Sequence, residues 1–219
     1  MNAHLLMLSD SRLPAGGHAH SGGLEPAVTA GAVKTVPDLA GFLAGRLWTT
    51  GLVTAAIAAA ACHHAPGGSG WELLDAEADA RTPSPAQRTA SRAQGRALLR
   101  AARRTWPDPL LDGLGRLPHQ PVVLGAVTRL VGGSVLDAAG IAAYQSVGGP
   151  ASAAVRLLGL DPLGVQRALA DLAGDIDDVA REAAACAAGD WSALPCVSAP
   201  ALDLWAEEHL RADLRLFES

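Results

Sequence analysis

The sequence predicts an all-α fold, a single domain over residues 1–219 built from about eight to ten packed helices. Three observations carry this. Alanine, leucine and arginine dominate, β-branched residues are sparse and aromatics reach only 4%, so summed helix propensity is high and strand propensity low. Thr35, Ser84, Ser134 and Asp161 each stand just ahead of a run with helical spacing, in the position of an N-cap. No two alternating runs flank a hairpin turn. With 219 residues, 49% of them hydrophobic, the chain is long enough to bury a core of its own.

Taken in order, Ala3 to Ser9 fits a short apolar helix. Pro14, Gly16, Gly17, Gly22 and Gly23 then predict an irregular loop within a Gly-rich N-terminal segment, 10–25. Thr35 with Asp38 has the form of a capping box, and Pro37 falls in the first turn, where a missing N–H does no harm. Leu39, Phe42, Leu43 and Leu47 continue that helix to a break expected at Gly51, and the pattern resumes from Ile57 to His64. The small residues Ala58 to Ala61 permit close helix packing. Pro66 to Gly70 reads as a loop, and Ser84-Pro85 with Gln87 opens a long helix ending near Trp106. A short helical piece over 108–117 and the breakers Pro118 and Pro121 precede a helix from Val122 to Val131. Ser134 with Asp137 caps the next, which carries Ile141, Tyr144, Val147, Val155 and Leu158 past a kink expected at Gly148-Gly149-Pro150. Asp161-Pro162 starts a helix reaching about Ala187, and the last runs from Leu202 to about Leu214.

A formal charge of −5 and a pI near 5.7 give no overall pull toward nucleic acid. Arg88, Arg92, Arg96 and Arg100 do form one basic stripe on the long helix. It suits either an acidic partner or, as we prefer for an acidic chain, an ordinary solvated face. Lys34 is the only lysine, which removes Schiff-base and phosphate-cradling roles for lysine elsewhere. Cys62, Cys186 and Cys196 are too few and too irregular for a disulfide framework and suit a reducing compartment. The N-terminus lacks a secretory n-region and h-region, and the most apolar run, Gly51 to Cys62, is too short to cross a bilayer. A soluble, cytoplasmic protein is expected.

No phosphate-binding loop, nucleophile elbow or zinc-protease motif is present, so neither nucleotide hydrolysis nor another enzymatic activity is expected. His18 and His20 could offer two imidazoles to a transition metal, but two ligands alone make a weak site. In Cys62-His63-His64 adjacent side chains diverge by about 100° around a helix, which favours a buried thiol followed by exposed imidazoles over a shared ion. No tightly bound cofactor is expected.

Three stretches carry a resemblance. Leu5 through Glu25 reads LLMLSDSRLPAGGHAHSGGLE. Tyr144-Gln145-Ser146 leads into Ala154-Val155-Arg156-Leu157, with Gly164 and Gln166 beyond. Pro200 to Leu204, then His209, then Arg215-Leu216-Phe217-Glu218-Ser219 close the chain. Together these resemble the UreF family of urease accessory proteins from end to end. His18 stands where the family commonly has an aromatic and Gly22 where a bulky residue is frequent.

The resemblance implies a non-catalytic, dimeric assembly factor. It would bind the accessory protein UreD, also called UreH, and recruit the GTPase UreG to the urease apoprotein, with nickel and GTP handled by the partner complex. The partner-binding residues it implies are Asp10, Ser11, Pro14, Gly16, Gly17, His20, Ser21 and Glu25 near the start. On the later helices they are Tyr144, Gln145, Ser146, Arg156 and His209, followed by Arg215, Leu216 and Phe217. Residues 214–219 are expected to form a docking tail with Leu216 and Phe217 as an apolar anchor pair. An enzyme would need an acid–base pair or nucleophile in a pocket and a metallochaperone would need strong ligands, whereas a scaffold needs only partners.

Overall fold

The computed structural model describes residues 2–10, 12–15, 20–211 and 216–217. Its α-helices are α1 (Ala3–Ser9), α2 (Leu24–Thr29), α3 (Val36–Arg46), α4 (Leu52–His64), α5 (Trp71–Ala80) and α6 (Pro85–Thr105). They continue as α7 (Gln120–Leu130), α8 (Val135–Leu158), α9 (Pro162–Asp171), α10 (Ala173–Ala185) and α11 (Pro200–Leu210). The chain is all-α, with no strand among the described residues.

The centre of the fold is α4, whose residues up to Cys62 are apolar or small on every face; a helix of that kind has to be enclosed. Leu52, Val53 and the whole run from Ala55 to Cys62 are buried, with α7, α8 and α10 packed around them. Alanine brings the backbones close, and at Gly125 on α7 they touch: a Cβ there would lie 2.1 Å from the carbonyl oxygen of Ala58. Burial also answers the Cys62-His63-His64 question. Burial pushes the Cys62 thiol up to about 11, His63 is exposed, and the His64 ring stands edge-on between Trp71 and Trp191.

The capping signatures do what their residues predict. Thr35 with Asp38 and Ser134 with Asp137 form complete capping boxes, and Asp161 accepts from the N–H groups of Leu163 and Gly164. Ser84 accepts from Gln87, but its reciprocal partner comes from the far end of the chain. Glu207 on α11 takes the Ser84 hydroxyl and the Ala86 N–H, the latter at 2.9 Å.

Several expectations are refined or corrected. The helix does not break at Gly51; Leu47–Gly51 is a π-helical stretch joining α3 to α4. The resulting run, Val36–Gly67, is long and apolar enough to cross a membrane by length and composition, yet its central part is the enclosed core helix. α8 runs unbroken through Gly148-Gly149-Pro150, with Pro150 inside the helix. The helix after Pro162 ends at Asp171 and restarts at Ala173. Val122, Val123 and Val127 on α7 are fully buried within the chain, so that apolar helix offers these residues to its own core and not to a second copy. Finally α5 occupies a stretch left unassigned from sequence, although Trp71, Leu74 and Ala78, its buried residues, fall at helical spacing.

The arginine stripe is divided by α5. Arg92 reaches Asp75 at 2.8 Å and Asp79 at 2.6 Å, and Arg88 donates to the carbonyl of Thr82 at 2.7 Å. Arg96 and Arg100 remain exposed.

Candidate functional site

A cleft of about 770 Å³ opens between the N-terminal segment, the middle of α8 and the stretch around Val197–Ala199. It gathers Asp10 and His20 from the start of the chain with Tyr144, Gln145, Ser146 and Arg156 from α8. Gln145 ties the two sides. It donates to the carbonyl of Leu8 at 3.4 Å, and its side-chain oxygen accepts from Gln120 at 3.1 Å. Tyr144 is exposed at the rim. Asp10 pairs with Arg12 at 2.7 Å, a solvent-facing contact of the kind worth little.

Sequence reasoning missed the cation on the cleft wall. Pro150 has no N–H to give the carbonyl of Ser146 one turn earlier, so that acceptor is orphaned inside α8. Arg46, the last residue of α3, donates to it through Nε at 2.8 Å. Gly22, in the left-handed region at φ +61°, lies against the guanidinium: a Cβ there would meet Pro150 Cγ at 2.9 Å and Arg46 Cζ at 3.3 Å. The glycine that departs from the family pattern is therefore the residue this close approach requires. The signal for Arg46 was a single charge in the otherwise apolar run Phe42 to Trp48.

The remaining candidates form a latch beside the cleft. Glu25, in the first turn of α2, accepts from the backbone N–H of Leu216 at 2.8 Å and of Phe217 at 2.9 Å. Its own N–H donates to the Ser21 hydroxyl at 3.2 Å. His209 meets the carbonyl of Phe217 at 3.1 Å and the Glu25 carboxylate at 3.4 Å. Arg156 lies over the Phe217 ring, 4.4 Å from its centroid. Phe217 is thus buried in the chain's own body, whereas Leu216 is 78% exposed. This splits the apolar pair expected to act as one anchor: a carboxylate and an imidazole capture the backbone around Phe217, so its ring packs inward. Pro14 is exposed and outside the cleft, and Ser21 is fully buried. Ser11, Gly16, Gly17, His18 and Arg215 lie outside the described residues.

Among the described residues, one group could hold a metal by its spacing: Asp75, Asp79 and His119. Its oxygens are already engaged. Arg92 bridges the two carboxylates, Asp75 also accepts from the His119 N–H at 2.7 Å, and His119 spans Ser91 and Asp79, both at 2.9 Å. A guanidinium fills the place of a cation, so the group reads as a half-buried brace joining α5, α6 and the approach to α7. Burial lowers the His119 pKa, an effect only partly offset by its bond to Asp79. Burial raises the Asp79 carboxyl, but the bonds from His119 and Arg92 outweigh it and leave it below the usual value.

These shifts set a pH dependence. The unfolded chain takes up a proton on His119 near the ordinary 6.5, before the folded chain does, so unfolding is favoured as protons are added. The His119 contribution is expected to be complete above that pH and to fall away as pH drops through it toward the folded value. Asp79 adds a second loss, below the usual carboxylate range. Urea unfolding measured at steps from about pH 8 to about pH 5 checks this, with His119→Gln flattening the upper part of the slope.

An all-α body with an open cleft of mixed apolar and polar lining is the form of a binding protein. The model of the UreF family matches residues 33–173. The urease accessory protein UreF of Mycolicibacterium vanbaalenii is 46% identical over 218 residues, covering 99% of this chain and 98% of its own. That of Mycobacterium sp. strain JLS is 48% identical over 215 residues, 98% and 97% of the two chains. That of Mycobacterium tuberculosis H37Rv is 45% identical over 207 residues, 94% and 93%. The chain belongs to the UreF family of urease accessory proteins, which act in urease maturation and are not known as catalysts.

Proposed function

We propose that this chain is a non-catalytic scaffold that joins UreD (UreH) and the GTPase UreG to the urease apoprotein during GTP-dependent nickel insertion. The observation that carries the reading is the full-length relation to UreF proteins. The cleft supports it by drawing residues of the first and second resemblance motifs onto one surface. On this reading the protein acts in the cytoplasm, nickel and GTP belong to the partner complex, and the chain itself holds no cofactor. It works as a homodimer. Leu136 and Tyr144, both exposed and about two turns apart on α8, supply apolar surface for a second copy.

Co-expression with tagged UreD, UreG and the urease subunits tests the reading. The expected result is a complex retaining all the components, with GTP hydrolysis only where UreG is present. Hydrolysis by the purified chain alone, or its failure to co-purify with any of them, overturns it.

A further inference from the structure

Arg46 combines features that its duty to α8 does not use. Its Nε is committed to Ser146, yet among the described residues no carboxylate pairs with the guanidinium, and burial lowers it to about 10. The other cleft arginines are engaged: Arg81 with Glu77 and Arg156 with Phe217. Arg46 also opens directly into the π-helical stretch, an irregularity that recurs at functional positions. A half-buried cation at a cleft wall without an acid is an unfilled demand for a carboxylate, whose two oxygens match the guanidinium fork.

We propose that the cleft receives a segment of a partner protein that carries an Asp or Glu flanked by apolar residues, with the acid pairing to Arg46. The inference rests on the scaffold reading above and names what one of its surfaces accepts. A peptide fits better than a free anion because one guanidinium partly in contact with water holds a small carboxylate weakly. The cleft wall also offers Leu13, Val155, Leu169 and Val197, each at least partly exposed, apolar area that only a larger ligand covers. The cleft volume of about 770 Å³ suits a few side chains and not a whole helix.

The test must separate this role from the support of α8. Pro150→Ala returns an N–H to the Ser146 carbonyl, so in the double variant Arg46→Gln with Pro150→Ala the helix no longer needs the arginine. Calorimetric titrations of UreD, UreG and urease apoprotein into the full chain are compared for wild type, Arg46→Gln, Arg46→Lys and the double variant. Affinity for one partner is expected to fall at least about tenfold in Arg46→Gln and in the double variant, with partial recovery in Arg46→Lys. The thermal midpoint should drop in Arg46→Gln and return in the double variant. A double variant that regains both midpoint and affinity overturns the proposal, because Arg46 then serves only the helix.

Binding of none of the three by wild type would sink the scaffold reading instead, and the site is then read directly. The Arg46 Nε resonance is followed with the capped peptide Ac-Leu-Glu-Leu-Val-NH2, its Gln counterpart and sodium acetate. A shift with the Glu peptide alone supports the proposal. No shift with the Glu peptide, or an equal shift with acetate at the same concentration, overturns it.

Discussion

Gly125→Ala is expected to destabilise the fold by about 3 kcal/mol or more, at the upper end of overpacking effects. The added methyl would meet Ala58 O at 2.1 Å, Ala61 Cβ at 2.6 Å and Cys62 N at 2.8 Å. Two of these are backbone atoms of α4, which cannot swing aside as a side chain would. The only relief is to push α7 away from the most enclosed helix in the protein, loosening the contacts of Val122 through Val127 together. For a chain of this length the loss corresponds to a fall in thermal midpoint on the order of 10 °C. Gly41→Ala is the control. It is exposed on α3 with nothing within 4 Å of its Cβ, and alanine there should raise stability by about 0.5 to 1 kcal/mol through helix propensity. Differential scanning calorimetry of the two variants decides the matter, and an unchanged midpoint in Gly125→Ala would mean that α4 and α7 are not packed at backbone distance.

Glu25→Ala is expected to release the end of the chain and to cost about 3 kcal/mol. It removes the acceptor of two charge-assisted bonds, to the N–H groups of Leu216 and Phe217, and the neighbour of His209. The buried Phe217 N–H is left without an acceptor unless the segment swings out to water, and the ring then leaves its place under Arg156. Carboxypeptidase should trim the variant faster than the wild-type chain, in parallel with a lowered thermal midpoint. Phe217→Ala should reproduce the stability loss. Either variant matching wild type in both measurements would show that the latch contributes nothing to the folded chain. The same geometry bears on a tail deletion: removing Leu214 to Ser219 takes Phe217 out of the chain's own core, so lower stability is expected whether or not UreD binding is lost. Leu216 is what the latch leaves available to a partner.

The elements legible in the sequence are those controlled by local chemistry. Thr35 with Asp38, and Ser134 with Asp137, bond to backbone groups three residues away, and such partners are visible in a string of letters. α5 escaped because its role is tertiary: its acids Asp75 and Asp79 are spaced like a solvated face, and only the arrival of Arg92 and His119 shows what they hold. The arginine stripe was read as solvated for the same reason, and half of it is. Within the site, the resemblance motifs pointed to Tyr144, Gln145, Ser146 and Arg156, while Arg46 carried only the signal of a charge in an apolar run.

By itself the sequence determined the helical class, most helix starts and the family, because propensity, capping and long motifs are properties of neighbouring residues. The tertiary structure alone decided what the motif residues do. Whether Phe217 is an external anchor or an internal one depends on Glu25 and His209, far away in the chain or on another helix. How α8 accommodates Pro150 depends on Arg46 arriving to satisfy the carbonyl it orphans. Polar groups are satisfied by whatever the fold brings within about 3 Å, and that pairing is set by packing, not by order along the chain.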